Sequence, residues 1–134
     1  MGHRDKRTLM IISDGGDNVS RHKLDDVTEG LMDSFATIYT IGIFDEDDLD
    51  RNPAVLKKLA HLSGGEAYFP SKLDQIVPIC RQIAKDIRTR YTIGYAPALD
   101  NGKGIRHIQV KVSSPDGGKL TAHTRTAYMF KEGI

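Results

Sequence analysis

The spacing of hydrophobic and polar residues changes several times along the chain, and each change predicts an element. Residues 8–13 form an uninterrupted apolar run, short and rich in Ile and Leu, the pattern of a strand buried on both faces. Over residues 23–35, Leu24, Val27, Leu31, Met32 and Phe35 fall near helical spacing and predict a helix. Residues 36–44 are a second β-rich, mostly apolar run. A helix is then expected from Asn52-Pro53, carrying Val55, Leu56, Leu59 and Leu62 and ending at Gly64-Gly65. Residues 66–69 predict a short strand. Residues 73–90 predict a long amphipathic helix with Leu73, Ile76, Val77, Cys80, Ile83, Ala84 and Ile87 on its apolar face. Pro78 lies inside it and predicts a kink or an irregular first turn.

This β-α-β-α-β-α order is that of a parallel sheet with crossover helices. Beyond it the period falls to two. Residues 90–96, 105–113 and 120–130 alternate apolar and polar positions, separated by Asp100-Asn101-Gly102 and Pro115-Asp116-Gly117-Gly118. They predict an antiparallel meander of three strands with one wet face. The expected fold class is therefore α/β, with an α/β unit over residues 1–90 and a β extension over residues 91–134 packed on it.

At 134 residues the chain is long enough for one domain with a sizeable core. A net charge of +1 provides no basic field for nucleic acid or acidic membranes. One cysteine, Cys80, excludes an intrachain disulfide and a cysteine-based metal knuckle. No apolar run approaches the roughly 20 residues that span a bilayer, so membrane insertion is not expected. The first seven residues are charged and lead straight into a strand, unlike a signal peptide. As written the chain reads as cytoplasmic; as a fragment of a longer protein it would read as exported or envelope-associated.

Candidate chemistry gathers where the first strand ends. Ser13-Asp14-Gly15-Gly16-Asp17-Asn18 carries a carboxylate into a tight, oxygen-rich turn at the C-terminal end of a strand, where open α/β sheets bind ligands. Asp14 reads either as half of a site for a hard cation or as a turn carboxylate capping nearby backbone. Asp17 reads as a second ligand or as a turn residue. Asp45, with Glu46, Asp47, Asp48 and Asp50, follows the next strand and should lie on the same edge. That loop lacks the spacing of a calcium loop and reads either as a cation or basic-partner site or as a solvated acidic loop. The five histidines are scattered, Cys80 falls on an apolar helix face, and no serine sits in a nucleophile elbow. Arg81, Lys85, Arg88 and Arg90 read as a solvated helix face.

The Ser13–Asn18 turn resembles the third metal motif of von Willebrand factor A (vWA) domains. The strand Ile38-Tyr39-Thr40-Ile41-Gly42-Ile43 and the segment from Leu56 through Ser63-Gly64-Gly65 to Phe69 are similar to theirs as well. The order over residues 7–90 resembles the C-terminal half of such a domain. The tail, with Arg90-Tyr91-Thr92-Ile93-Gly94-Tyr95-Ala96-Pro97, looks like the extension of bacterial relatives of the acidobacterial type.

The resemblance implies part of a doubly wound, Rossmann-like sheet around a metal-ion-dependent adhesion site. In that family magnesium is held by an Asp-x-Ser-x-Ser loop, by a threonine, and by the aspartate of the third motif. Here the third element alone is present, as Asp14, and no Asp-x-Ser-x-Ser occurs in the chain. Magnesium binding is therefore expected to be weak or absent. In the family's strand order the 8–13 strand is the fourth, and its neighbour on one side, the first strand, is missing from this sequence. That turns Thr8, Leu9, Met10, Ile11, Ile12 and Ser13 into an expected contact edge, for a protein partner or a second copy of the chain.

The expected function is that of a non-enzymatic protein-interaction module, adhesion-like or scaffold-like, with an incomplete metal site. Two alternatives remain open at this point. One is a metal-assisted enzyme or small-ligand protein using the acidic strand ends, for which the sequence offers no nucleophile–base pair. The other is a self-associating domain fragment.

Overall fold

A computed structural model of the chain describes residues 7–14, 21–45, 47, 52–97 and 104–130, with the backbone alone for residues 21–24. Its elements run β1 (Arg7–Ser13), α1 (Arg21–Asp33), β2 (Ala36–Gly42), α2 (Pro53–Ser63), β3 (Ala67–Tyr68), α3 (Ile76–Thr89), β4 (Gly104–His107) and β5 (Ala127–Phe130). β1, β2 and β3 form a parallel sheet in that order, and β4 pairs antiparallel with β5 in a second sheet. Among the described residues no helix is long and apolar enough to cross a membrane.

β2 is the core strand because both its faces are covered. Ile38 joins Leu31 of α1 and Leu59 of α2, with Ile11, Val55 and Leu62 packed around them. Tyr39 and Ile41 point the other way and meet Ile83 of α3, with Ile79, Cys80 and Tyr68 around them. Helices therefore pack on both faces of the parallel sheet. Burying Ile41 completely contributes roughly 1.5–3 kcal/mol.

Two buried hydroxyls complete β2's polar accounting. β3 is too short to reach Ile38, since its pairs are Thr40 with Ala67 and Ile41 with Tyr68. The Ser63 hydroxyl takes the missing place: the Ile38 N–H donates to Ser63 Oγ at 2.8 Å, and Ser63 Oγ donates to the Ala60 carbonyl at 2.9 Å. Thr40 Oγ1 donates to the Leu56 carbonyl at 3.3 Å. Past Ser63 the helix ends in a Schellman turn, with the Gly64 N–H on His61 O and the Gly65 N–H on Ala60 O. Gly64 is left-handed at φ +80°. A Cβ on Gly65 would lie 1.8 Å from the Ile38 carbonyl oxygen, so β2 passes where a side chain would stand.

Pro78 is accommodated in the first turn of α3, which is entered through a 3-10 turn at Leu73–Gln75. Helix N–H groups in the first turn have no intrahelical partner, so the missing donor costs little there. The Gln75 side chain accepts from the Ser71 N–H at 2.9 Å and holds the entry.

The C-terminal region is less regular than its alternation predicts. Of the three expected strands, the second and third are represented by β4 and β5, and residues 91–97 form no ladder. Tyr91 is 90% exposed and Ile93 77%, so no apolar layer covers this segment and burial cannot lock its pleat. The β4–β5 pairing continues one step, through the Ile108 N–H on Thr126 O. Ser114–Gly117 closes a β-turn with Pro115 at its second position.

Arginines tie this region to the N-terminal end of the parallel strands. Arg125 donates to the carbonyls of Met32 at 3.3 Å and Ala36 at 3.2 Å and lies over the Phe35 ring. Arg90 donates to Thr37 Oγ1, the Tyr39 hydroxyl and the Gly64 carbonyl. Arg90 thus differs from the expected solvated residue. It lies one position beyond α3, where the chain turns extended and the guanidinium reaches under β2.

Candidate functional site: the open strand and the acidic strand ends

β1 is an edge strand among the described residues, with β2 on one side. The Ile43 N–H donates to Ser13 O at 2.8 Å, so the Ser13 carbonyl faces β2. Peptide directions alternate along a strand, so the N–H and C=O groups of Leu9 and Ile11 also face β2. Those of Thr8, Met10 and Ile12 face outward, along the open edge.

The side chains of β1 follow the same alternation. Leu9 and Ile11 sit level with Ile38 and Thr40 on the face covered by α1 and α2, and Ile11 reaches the core there. Met10 and Ile12 sit level with Tyr39 and Ile41 on the opposite face. α3 lies over β2 and β3 on that face, leaving Met10 41% and Ile12 60% exposed; Leu9 is 50% exposed. The expectation of a strand buried on both faces is corrected here. An apolar run records a tendency to be covered, but the elements that would cover both faces of β1 are not among those described.

Asp14 follows β1 directly and is exposed, and Asp45, three residues past the end of β2, is exposed too. Because Ser13 is level with Gly42, both carboxylates leave the sheet at the same end. Asp17, Glu46, Asp48 and Asp50 lie outside the described residues. Among the described residues no three His, Cys, Asp or Glu side chains gather. Magnesium takes six oxygens in near-octahedral geometry. Among the described residues the exposed Asp14 carboxylate gathers no such donor set.

The same end of the sheet carries a depression that the sequence reading missed. It has a volume of about 330 Å³ and is lined by Tyr68, Phe69, Pro70, Gln75, Pro78 and Ile79. Phe69 stacks on Phe44 with ring centroids 5.7 Å apart, and the Lys57 ammonium lies 5.4 Å from the Phe69 centroid. Gly42 makes room for the stack, since a Cβ there would come within 2.7 Å of the Phe44 ring. The Tyr68 hydroxyl donates to the Glu66 carboxylate at 3.0 Å. Burial, with that hydrogen bond second, pushes its pKa well above the ordinary phenol value, so it stays a neutral donor. The sequence signal was the pairing of two Phe residues with a Gly two positions before one of them, which is too common to be read alone.

No protein-family model matches the chain, and no curated protein matches it. Among solved structures, an uncharacterized membrane-spanning protein from Vibrio fischeri matches 61% of this chain with a TM-score of 0.50 and 21% identity. The match takes in 47% of that protein's chain, so the present chain spans about half of its length. At that identity the likeness is one of fold.

Proposed function

We propose that the chain is a protein-interaction module that binds another polypeptide through the open side of β1. In this reading it is the C-terminal half of a vWA-type domain. The three parallel strands, with helices on both faces, are the corresponding part of a doubly wound sheet. Asp14 is then the surviving metal contact of an incomplete adhesion site, and magnesium affinity is millimolar or weaker.

The observation that carries the reading is the exposure of β1. Thr8, Met10 and Ile12 turn their backbone donors and acceptors outward along this edge, and Leu9, Met10 and Ile12 carry exposed apolar side chains. Soluble proteins normally protect such an edge with charge, proline, a bulge or a covering loop, because an unprotected one templates pairing. An edge left apolar is a surface suited to a partner strand.

A photo-crosslinking amino acid in place of Ile12, in the organism that makes the protein, tests this. The expected result is an adduct with a second polypeptide, with none from the same group in place of exposed Lys58. Absence of any adduct at Ile12 would overturn the interaction reading.

A further inference from the structure

The open edge of β1 is self-complementary, which narrows the class of partner. Resting on the interaction reading above, we propose that the partner strand is β1 of a second copy, paired antiparallel about a two-fold axis through Met10. A two-fold axis normal to an antiparallel pair passes through a residue opposite itself. With Met10 at the centre, Thr8 of each copy opposes Ile12 of the other, and Leu9 opposes Ile11. The residues whose N–H and C=O point outward are Thr8, Met10 and Ile12, and in this register all three fall in hydrogen-bonded pairs. The two edges then exchange about six ladder hydrogen bonds.

Charge selects the direction. β1 begins at exposed Arg7 and leads directly into exposed Asp14. Antiparallel pairing sets Arg7 of each copy opposite Ser13 of the other, beside Asp14, and does so twice. Parallel pairing would set Arg7 against Arg7 and Asp14 against Asp14, and like charges across a strand pair repel. The middle of the strand, from Thr8 to Ile12, carries no charge and no proline to resist the contact. Exposed Leu9, Met10 and Ile12 lose water on both sides of the joined sheet, which becomes a continuous six-stranded one.

The full 134-residue chain is tested by size-exclusion chromatography with light scattering over a concentration series. The expected species is a dimer of twice the chain mass. Met10→Pro removes an outward N–H while leaving the N–H groups that bond β2, so it should yield a folded monomer. Arg7→Asp and Asp14→Arg should each weaken the dimer about three- to tenfold, and the double swap should restore it. Register is read by oxidation in a Cys80→Ala background. Met10→Cys should form a disulfide with itself, and Thr8→Cys should pair with Ile12→Cys but not with itself.

A monodisperse monomer at the highest concentration overturns self-pairing. So does a dimer that survives Met10→Pro with unchanged affinity, or crosslinks in another register. An Ile12 photo-adduct with a different protein, alongside a monomeric purified chain, would sink this proposal and leave the interaction reading standing.

Discussion

Ser63→Ala isolates one buried hydroxyl whose loss leaves a core strand incomplete. Ser63 is 3% exposed and Ile38 3% exposed, so water does not replace the lost partner. The substitution removes the acceptor of the 2.8 Å bond from the Ile38 N–H, and β3 does not extend far enough to supply another. A buried donor left unsatisfied costs about 1–3 kcal/mol, and Ala's better helix propensity returns only a few tenths. The expected net loss is about 2 kcal/mol. For a chain of this length that corresponds to a fall in melting temperature of about 7 °C.

Thr40→Val is the matched comparison. Its hydroxyl is also buried, but it donates to Leu56 O, a carbonyl inside α2 that keeps its own helix hydrogen bond. Nothing is orphaned, so the expected cost is about 1 kcal/mol or less. Urea unfolding followed by circular dichroism gives both values. Equal losses, or a Ser63→Ala loss under about 0.5 kcal/mol, would refute the claim that Ser63 stands in for a missing strand partner.

Other perturbations test other joints of the fold. Gly65→Ala places a methyl carbon against the Ile38 carbonyl and should cost more than about 4 kcal/mol, seen as loss of cooperative unfolding by circular dichroism. Arg125→Met should cost about 2 kcal/mol by removing charged donors from the Met32 and Ala36 carbonyls. Amide exchange should then quicken selectively over β5, and an unchanged rate there would contradict its anchoring role. Burial raises the pKa values of Tyr39 and Tyr68 in the folded state. Both phenols stay protonated in the fold while the unfolded chain ionises above about pH 10, so their stabilising contribution is present below that pH and lost above it. Urea midpoints between pH 8 and pH 11 should fall at the alkaline end, and less steeply in Tyr68→Phe.

The order of elements was legible along the chain because each rests on a short-range cause. Apolar runs of strand length, helical spacing, Pro53 at a helix start and Gly64-Gly65 at its end act within a turn or two. Pro78 predicts a kink or an irregular first turn in the third helix for the same reason, and the structure has the second, with a 3-10 turn leading into the helix. The end of the sheet at which Asp14 and Asp45 emerge also followed, because parallel strands deliver their C-termini to one edge. Apolar content does not say which strand is covered. β1 and β2 are similarly apolar, yet β2 is buried from Thr37 to Gly42 and β1 is largely exposed, because burial depends on how many elements flank a strand. Arg90 and Arg125 show the same division. Arg90 reads in sequence as part of a solvated helix face and nothing in the local pattern marks Arg125; only the docking of distant segments gives their guanidinium groups carbonyls and hydroxyls to serve. Local pattern determined the elements of the α/β unit, their order and the end of the sheet at which Asp14 and Asp45 emerge. Tertiary structure decided which apolar strand became core and which became an open edge, because covering a strand takes neighbours that its own residues cannot supply.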